Sequence, residues 1–224
     1  MHVEPGYVAP AKVALANVGA LGVVMWTCAK HIKNFAVDPF LIVKSLMAAS
    51  VFSLFMQSFH VPVGPSELHF VGAMAIYLTL GFTPTLLGFG IGLALQGAVF
   101  EPADLLHLGV NSLSLMLPLI SVHAISGRRV FNRDSGEKIS WAQIVKLDAM
   151  YYAGVTSMVG FWLMISDVAT PVSAWATFAL SYLVVVLCEP IITYAAVRGL
   201  KAFEGHALVS RLTAVHSLSL REPV

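Results

Sequence analysis

Charged side chains are scarce in this chain, and the scarcity decides its class. Only 11% of the 224 residues are charged, whereas 58% are hydrophobic. Soluble domains carry roughly 25% charged residues, so the composition predicts an integral membrane protein. The formal net charge of +1 also argues against a nucleic-acid partner, because such proteins present a strongly basic surface.

Several common motifs are missing as well. The two cysteines, Cys28 and Cys188, form no spacing motif, so neither a disulfide framework nor a structural zinc site is expected. No Walker A loop is present, which excludes ATP binding of that kind, and no His-Glu-x-x-His or Gly-x-Ser-x-Gly motif is found. The segment Met1–Pro10 has no basic region before the first apolar run, so we expect no signal peptide and an intact N-terminus.

Long apolar runs make up most of the sequence. A helix needs about 17–25 such residues to cross a membrane. We therefore predict an all-α integral membrane protein, a bundle of about seven (six to seven) transmembrane helices. The expected spans are 12–30, 40–59, 67–82, 84–100, 105–125, 147–166 and 173–199. The third and fourth are short and share a Gly-Phe-Thr-Pro turn, so a single broken element is an alternative there.

Basic residues are absent from one set of the predicted loops. The loops near 60–66, 101–104 and 167–172 hold no Lys or Arg, and twelve of the thirteen basic residues fall on the opposite side, Lys12 being the exception. Basic residues concentrate on the cytoplasmic side. The N-terminus is therefore predicted outside and the C-terminus in the cytoplasm of a bacterial cell, with a multi-pass location in the inner membrane.

The chain is expected to form a single transmembrane domain, 1–224. It would consist of an N-terminal loop (1–11), a helical bundle (12–199) and a cytoplasmic tail (200–224). The sixth span, 147–166, shows no feature that indicates chemistry.

Histidines and acids collect on the side that lacks cations. Neutral imidazoles and carboxylates at the outer end of the predicted bundle, here called the outer mouth, indicate capture of a cation from outside. The residues placed there are Met1, His2, Glu4, His60, Glu67, His69, Glu101, Asp104 and His107.

The first two residues offer a metal three nitrogens in one plane. These are the free amine of Met1, the deprotonated backbone amide of His2 and the His2 imidazole, and His69 could supply a fourth. Four nitrogens in a plane favour Ni(II), Cu(II) or low-spin Co(II) over Zn(II), which prefers a tetrahedron. Pro5 and Pro10 disfavour a helix, so the terminus can run as a stiff loop back towards the outer mouth.

The segment around His69 has a structural interpretation too. Ser66 is predicted to cap a helix, with Glu67 in its first turn and His69 one turn in. Glu67 is then either a capping-region acid or an accessory metal donor, and His60 is a further candidate donor at the same mouth.

Other candidate residues also carry two interpretations. His107 and Asn111, near the start of the fifth span, are candidates for a direct or outer-shell role or for hydrogen bonding within the bundle. Ala16 and Ala20 are small residues one turn apart, which fits internal helix packing or docking of a partner subunit. Glu189 lies within the seventh span, and we interpret it as a hydrogen-bonded structural acid rather than a functional one.

Three segments resemble one family. Residues 1–7, Met-His-Val-Glu-Pro-Gly-Tyr, resemble the start of the CbiM/NikM proteins, the substrate-binding components of energy-coupling factor transporters for cobalt and nickel. Residues 64–69, Gly-Pro-Ser-Glu-Leu-His, are similar to the family's Gly-Pro-Thr/Ser-x-x-His, and residues 109–111, Gly-Val-Asn, match its Gly-Ala-Asn. The length and the span layout fit over nearly the whole chain.

The resemblance implies a function and a ligand set. The metal would be bound by the amine of Met1, the amide and imidazole of His2 and the imidazole of His69. The protein would take up cobalt or nickel with high affinity, as a transport subunit and not an enzyme, and without an organic cofactor. Its partners would be a transmembrane coupling subunit, cytoplasmic ATPase subunits and, in some systems, a small accessory membrane subunit.

The departures from the family pattern leave the choice between cobalt and nickel open. Pro5 replaces the usual acid, Glu67 stands where a small polar residue is common, and Ser114 replaces a frequent second Asn. The residues alone also leave open a membrane metalloenzyme or intramembrane hydrolase. That alternative would place His60, Glu67 and His107 around a catalytic metal with an exchangeable water.

Overall fold

Helices account for most of the chain. The computed structural model describes residues 6–37, 39–64 and 66–221, with the backbone alone over 31–37. The helices are α1 (Pro10–Val37), α2 (Phe40–Ser58), α3 (Ala73–Leu80), α4 (Phe82–Val99), α5 (Leu108–Val122), α6 (Arg128–Val130), α7 (Trp141–Met164), α8 (Val172–Ala202) and α9 (Ala207–Leu212), and the strands are β1 (His60–Val63) and β2 (Ser66–His69). The predicted helical membrane class is confirmed.

Five segments of the described chain are long and apolar enough to cross a membrane. They are Pro10–Lys30, Phe40–Ser58, Phe82–Val99, Pro102–Val130 and Val172–Ala202. Helix α7 has 24 residues and carries Lys146 and Asp148. At 1.5 Å per residue it is about 36 Å long, enough to pass through a hydrocarbon core of about 30 Å.

The third predicted span, 67–82, is not one helix. Helix α3 has eight residues, all of them buried, so it extends for only about 12 Å. The chain before it is extended, and Gly72 has a left-handed conformation with φ of 65° that separates the two. The predicted helix start at Ser66 is therefore wrong, because the helix begins at Ala73. Gly81, with φ of 92°, then interrupts the helical conformation between α3 and α4. This matches the alternative in which the third and fourth predicted spans form a single broken element.

A β-hairpin occupies the place of the predicted helix start. Strands β1 and β2 are antiparallel, with His60 opposite His69 and Pro62 opposite Glu67. Gly64 supplies the positive φ of 62° that the turn requires. A Cβ at Gly64 would lie 3.9 Å from that of Ala174, so the hairpin rests on the first turn of α8. We call this end of the bundle the hairpin end.

Two hydrophobic clusters form the core. The larger one joins α2, α3, α4, α5, α7 and α8 around large buried aromatic side chains: Phe52, Tyr77, Phe89, Tyr151, Tyr152, Phe178 and Tyr182. The smaller one joins the segment before α1 to α1, α5 and α7: Val8, Val13, Ala16, Ala20, Val110, Leu113 and Trp162. Ala16 and Ala20 are 3% and 8% exposed, so they serve internal helix packing.

Helices α2 and α4 pack closely against each other. A side chain at Gly88 or Gly92 would overlap α2, so these glycines let the two backbones approach. The Gln57 amide donates to the Gln96 side-chain oxygen at 2.7 Å, and the Gln96 amide donates to the Ser53 carbonyl at 2.8 Å. The side-chain oxygen and amide of the buried Gln96 thereby each have a partner within the apolar bundle.

The segment after α9 folds back onto the opposite end of the bundle. The Ala214 amide donates to the Thr79 carbonyl at 2.7 Å, which ties the segment to α3. Ile139 exchanges backbone hydrogen bonds with Ser219 and Arg221 at 2.7 and 2.9 Å. Val215 and Leu218 are buried. The C-terminal segment thus closes that end of the bundle together with the loop before α7.

Candidate metal site at the hairpin end

The hairpin sets two histidines side by side. His60 and His69 are directly opposite in the antiparallel ladder, and their ring centroids are 6.0 Å apart with an angle of 25° between the rings. His69 is only 5% exposed, whereas His60 is exposed. The hairpin therefore holds one imidazole inside the bundle and presents the other at the surface.

Both ring nitrogens of His69 face oxygen atoms. Nε2 lies 2.9 Å from Oε2 of Glu67, and Nδ1 lies 3.4 Å from the carbonyl oxygen of Met56. When Nδ1–H points to that carbonyl, Nε2 is the nitrogen that can bind a metal, and this is a common way for proteins to fix the tautomer of a ligating histidine. At 2.9 Å a proton lies between Nε2 and the carboxyl group of Glu67, and a metal at Nε2 would replace it.

Glu67 does not act as a helix cap. It lies on strand β2 and its side chain is 26% exposed and paired with His69. The capping interpretation fails because no helix begins at Ser66. The accessory-donor interpretation keeps a geometric basis, since the carboxylate already touches the imidazole.

Regular elements hold the His69 backbone in place. The amide of Phe70 donates to the Phe59 carbonyl at 3.2 Å, which extends the hairpin pairing by one residue. Strand β2 also packs against α8. The backbone of His69 is thereby tied to the end of α2 and lies against α8.

The segment that leads to the N-terminus is attached to the same end of the bundle. The Tyr7 carbonyl accepts hydrogen bonds from the Ser166 hydroxyl and from the Asp167 amide, the latter at 3.2 Å. The Lys12 ammonium contacts the Asp167 carboxylate and the Ile165 carbonyl, each at 2.7 Å. These partners belong to the α7–α8 loop, which continues into the turn of α8 that supports the hairpin.

Met1, His2 and Glu4 lie outside the described residues. The described chain starts at Gly6, and five residues span at most about 18 Å when extended. Val8 is 3% exposed, so the described segment before α1 packs against the bundle.

His107 and Asn111 lie at the start of α5. They are 4% and 2% exposed, and the amide of Gly109 between them donates to Oδ1 of Asn17 on α1 at 2.6 Å. Sequence reasoning missed Asn17, although an amide within a long apolar run is a signal for such a contact.

Within the three described ranges, no group of three or more His, Cys, Asp or Glu side chains could hold a metal ion. His69, Glu67 and His60 are brought together on the hairpin. His60, Glu67 and His107 do not form the trio that a catalytic metal site would need.

Two acidic residues are buried inside the bundle, and the sequence analysis singled out only one of them, Glu189. Glu189 is fully buried and accepts hydrogen bonds from the Met74 amide at 3.1 Å and from the Tyr152 hydroxyl. The structure thus gives it the hydrogen-bonded environment that we expected. Asp148 on α7 is also fully buried, and sequence reasoning passed over it because the sixth span has no distinctive motif.

Comparisons with known proteins agree with this architecture. Two solved structures share the fold, each with 19% sequence identity: a crystal structure of a transition metal transporter (TM-score 0.73, covering 93% of this chain and 96% of that chain) and one of a truncated transition metal transporter (TM-score 0.69, covering 92% and 100%). No curated protein matches the sequence. A family model for the cobalt uptake substrate-specific transmembrane region matches residues 2–207. The chain therefore belongs to the CbiM family of metal-uptake membrane proteins.

Proposed function

We propose that the protein captures a divalent cobalt or nickel ion as the substrate-binding subunit of an energy-coupling factor ABC transporter. One observation carries the proposal. The buried imidazole of His69, oriented by Met56 and Glu67, lies at the end of the bundle to which residues 6–12 are also attached. Family membership supports metal uptake in general, and this geometry favours a site built from both segments.

The proposed ligands are four nitrogens. The amine of Met1, the amide and imidazole of His2 and Nε2 of His69 would surround the ion in one plane, an arrangement that suits Ni(II) and low-spin Co(II). The Met56 carbonyl would keep Nδ1 protonated, which leaves Nε2 for the metal. Glu67 would either add an oxygen or orient a ligand from beside the plane.

Energy for inward release would come from other subunits. The chain carries no Walker A loop, and a transmembrane coupling subunit with cytoplasmic ATPases would supply the work. The bias of basic residues supports a hairpin end that faces outward from the bacterial inner membrane, where the ion would be captured.

Metal analysis of tag-free protein tests the proposal. Purified protein with its natural start should retain about one cobalt or nickel ion per chain, because four planar nitrogens hold such ions tightly. A variant with two alanines before Met1 should lose this binding, since the amine then moves away from the chelate and His2 becomes the fourth residue, too far along the chain for an amine–amide–amide–imidazole chelate to replace it. The matched control carries the same two residues after Val224, and it should bind normally. Equal binding by the N-terminally extended protein would contradict the proposal.

A further inference from the structure

Two carboxyl groups lie close together inside the bundle. Asp148 of α7 and Glu189 of α8 are each 0% exposed. Asp148 lies one helical turn before Tyr152, whose hydroxyl donates to Glu189, so the same face of α7 turns both residues towards the Glu189 carboxyl group. The ion pairs found among the described residues involve Lys12, His69 and Lys201, and none includes either acid. Two adjacent buried carboxylates repel strongly, so both cannot be ionised together.

The hydrogen bonds distinguish the two acids. Glu189 accepts from the Met74 amide through Oε1 and from the Tyr152 hydroxyl through Oε2. Donors at both oxygens favour an ionised carboxylate. No donor reaches either oxygen of Asp148. Because the Glu189 oxygens already accept hydrogen bonds, a proton shared by the two acids is better held by Asp148.

We propose that Asp148 and Glu189 form a proton-binding site within the bundle, in which Asp148 carries the proton and donates it to the Glu189 carboxylate. This arrangement gives Asp148 the partner that a buried carboxyl group needs. It also reduces the charge in the low-dielectric interior from two to one, with several hydrogen-bond donors around that charge.

The surrounding side chains are polar and neutral. The Tyr151 hydroxyl and Thr193 Oγ1 are buried near the pair with no hydrogen-bond partner in the structure. The Tyr152 ring stacks on Tyr182 with centroids 5.1 Å apart. From the start of α3 the pair receives the backbone amides of Met74 and of the N-cap residue Gly72. None of these groups supplies a positive charge that could replace the proton.

The site also fixes the start of α3. Met74 is the second residue of this helix, and the helix has no capping side chain of its own. Glu189 therefore satisfies a first-turn amide and places a negative charge at the positive end of the helix. Strand β2, which carries His69, ends four residues before Ala73. The proton-binding site thus supports the segment that links the hairpin to the bundle, and its existence does not depend on the proposed metal ligands.

Infrared spectroscopy of the full chain tests the inference. Wild-type protein in an ester-free detergent at neutral pH should show the carbonyl band of one protonated carboxylic acid, and the band should move to lower frequency in D2O. D148N should lose the band, because its amide can donate to Glu189 without holding a titratable proton. The surface control E101Q should keep it.

A second variant covers the case in which D148N does not fold. In E189Q the buried Asp148 should stay protonated but donate to an amide oxygen, so the band should persist at a higher frequency. Three results would overturn the inference: no such band in the wild type, a band that D148N leaves unchanged, or a band that appears only when sodium ions are removed. The last result would mean that the pair is ionised and binds a cation.

Discussion

At the scale of single residues, metal binding is proposed to depend on His69 more than on any other described side chain. H69A should lower cobalt or nickel affinity by more than the roughly 100-fold that marks the upper range for outer-shell partners, because it removes one of four proposed ligands. H60A is the matched control, since His60 is the opposite residue of the same hairpin and is exposed. It should change affinity by less than about 10-fold. A competition titration measures both, and a larger loss in H60A would contradict the assignment.

Glu67 should have an intermediate effect. E67Q removes the carboxylate that touches Nε2 of His69 but keeps the shape of the side chain. We expect metal affinity to fall by about 10- to 100-fold, the range for groups that orient a ligand. E101Q, a change at an exposed acid, should have no effect in the same titration. Unchanged affinity in E67Q would show that the pairing with His69 has no role in binding.

At the scale of elements, the joint between β2 and α3 is the most constrained position. Gly72 has φ of 65°, and a side chain there would overlap the Phe55 ring of α2. A non-glycine residue in the left-handed conformation costs about 1–3 kcal/mol of folding free energy. G72A should therefore lose that amount of stability and, in addition, the cost of the overlap with Phe55. G136A is the matched control, because Gly136 has φ of 68° with open space around it.

Thermal unfolding in detergent compares the two glycine variants. Tm should fall clearly further in G72A than in G136A, and G72A should also weaken metal binding because His69 precedes the joint. Equal Tm values for the two variants would mean that the contact with Phe55 is relieved at no cost.

Long helices were predicted from the sequence far better than short elements. A span needs a long apolar run and nothing else, so α1, α2, α4 and α8 were located directly. A short apolar run does not distinguish a buried strand from a helix, and 67–82 was therefore misread. Gly64 and Gly72, whose positive φ values shape the hairpin and the start of α3, were the available signals.

The candidate site was predicted only in part. His69 was selected because other histidines and acids were predicted on the same side of the membrane, and its burial fits that prediction. The contact between Glu67 and His69 depends on strand geometry, in which alternate residues share a face, so a helical prediction could not give it. Asp148 was missed because its significance comes from Glu189, which is 41 positions away in the chain and adjacent only in the fold.

At the scale of the whole molecule, the distribution of basic residues predicts that the hairpin end faces outward. Single-cysteine variants in a background without Cys28 and Cys188 can test this in intact cells with a membrane-impermeant thiol reagent. V61C, on the hairpin, should react from outside, whereas K138C, in the loop before α7, should react only after the membrane is opened. The reverse pattern would show that the hairpin end faces the cytoplasm, which contradicts capture of the metal from outside.

X-ray absorption spectroscopy of nickel-loaded, tag-free protein tests the central claim most directly. The account predicts an ion bound by four nitrogens in a plane, and in H69A one nitrogen neighbour should be replaced or lost. Two alanines added before Met1 should disrupt the same nitrogen set. A tetrahedral site, or a nickel spectrum identical in wild type, H69A and the extended protein, would contradict a site made from the N-terminus and the hairpin.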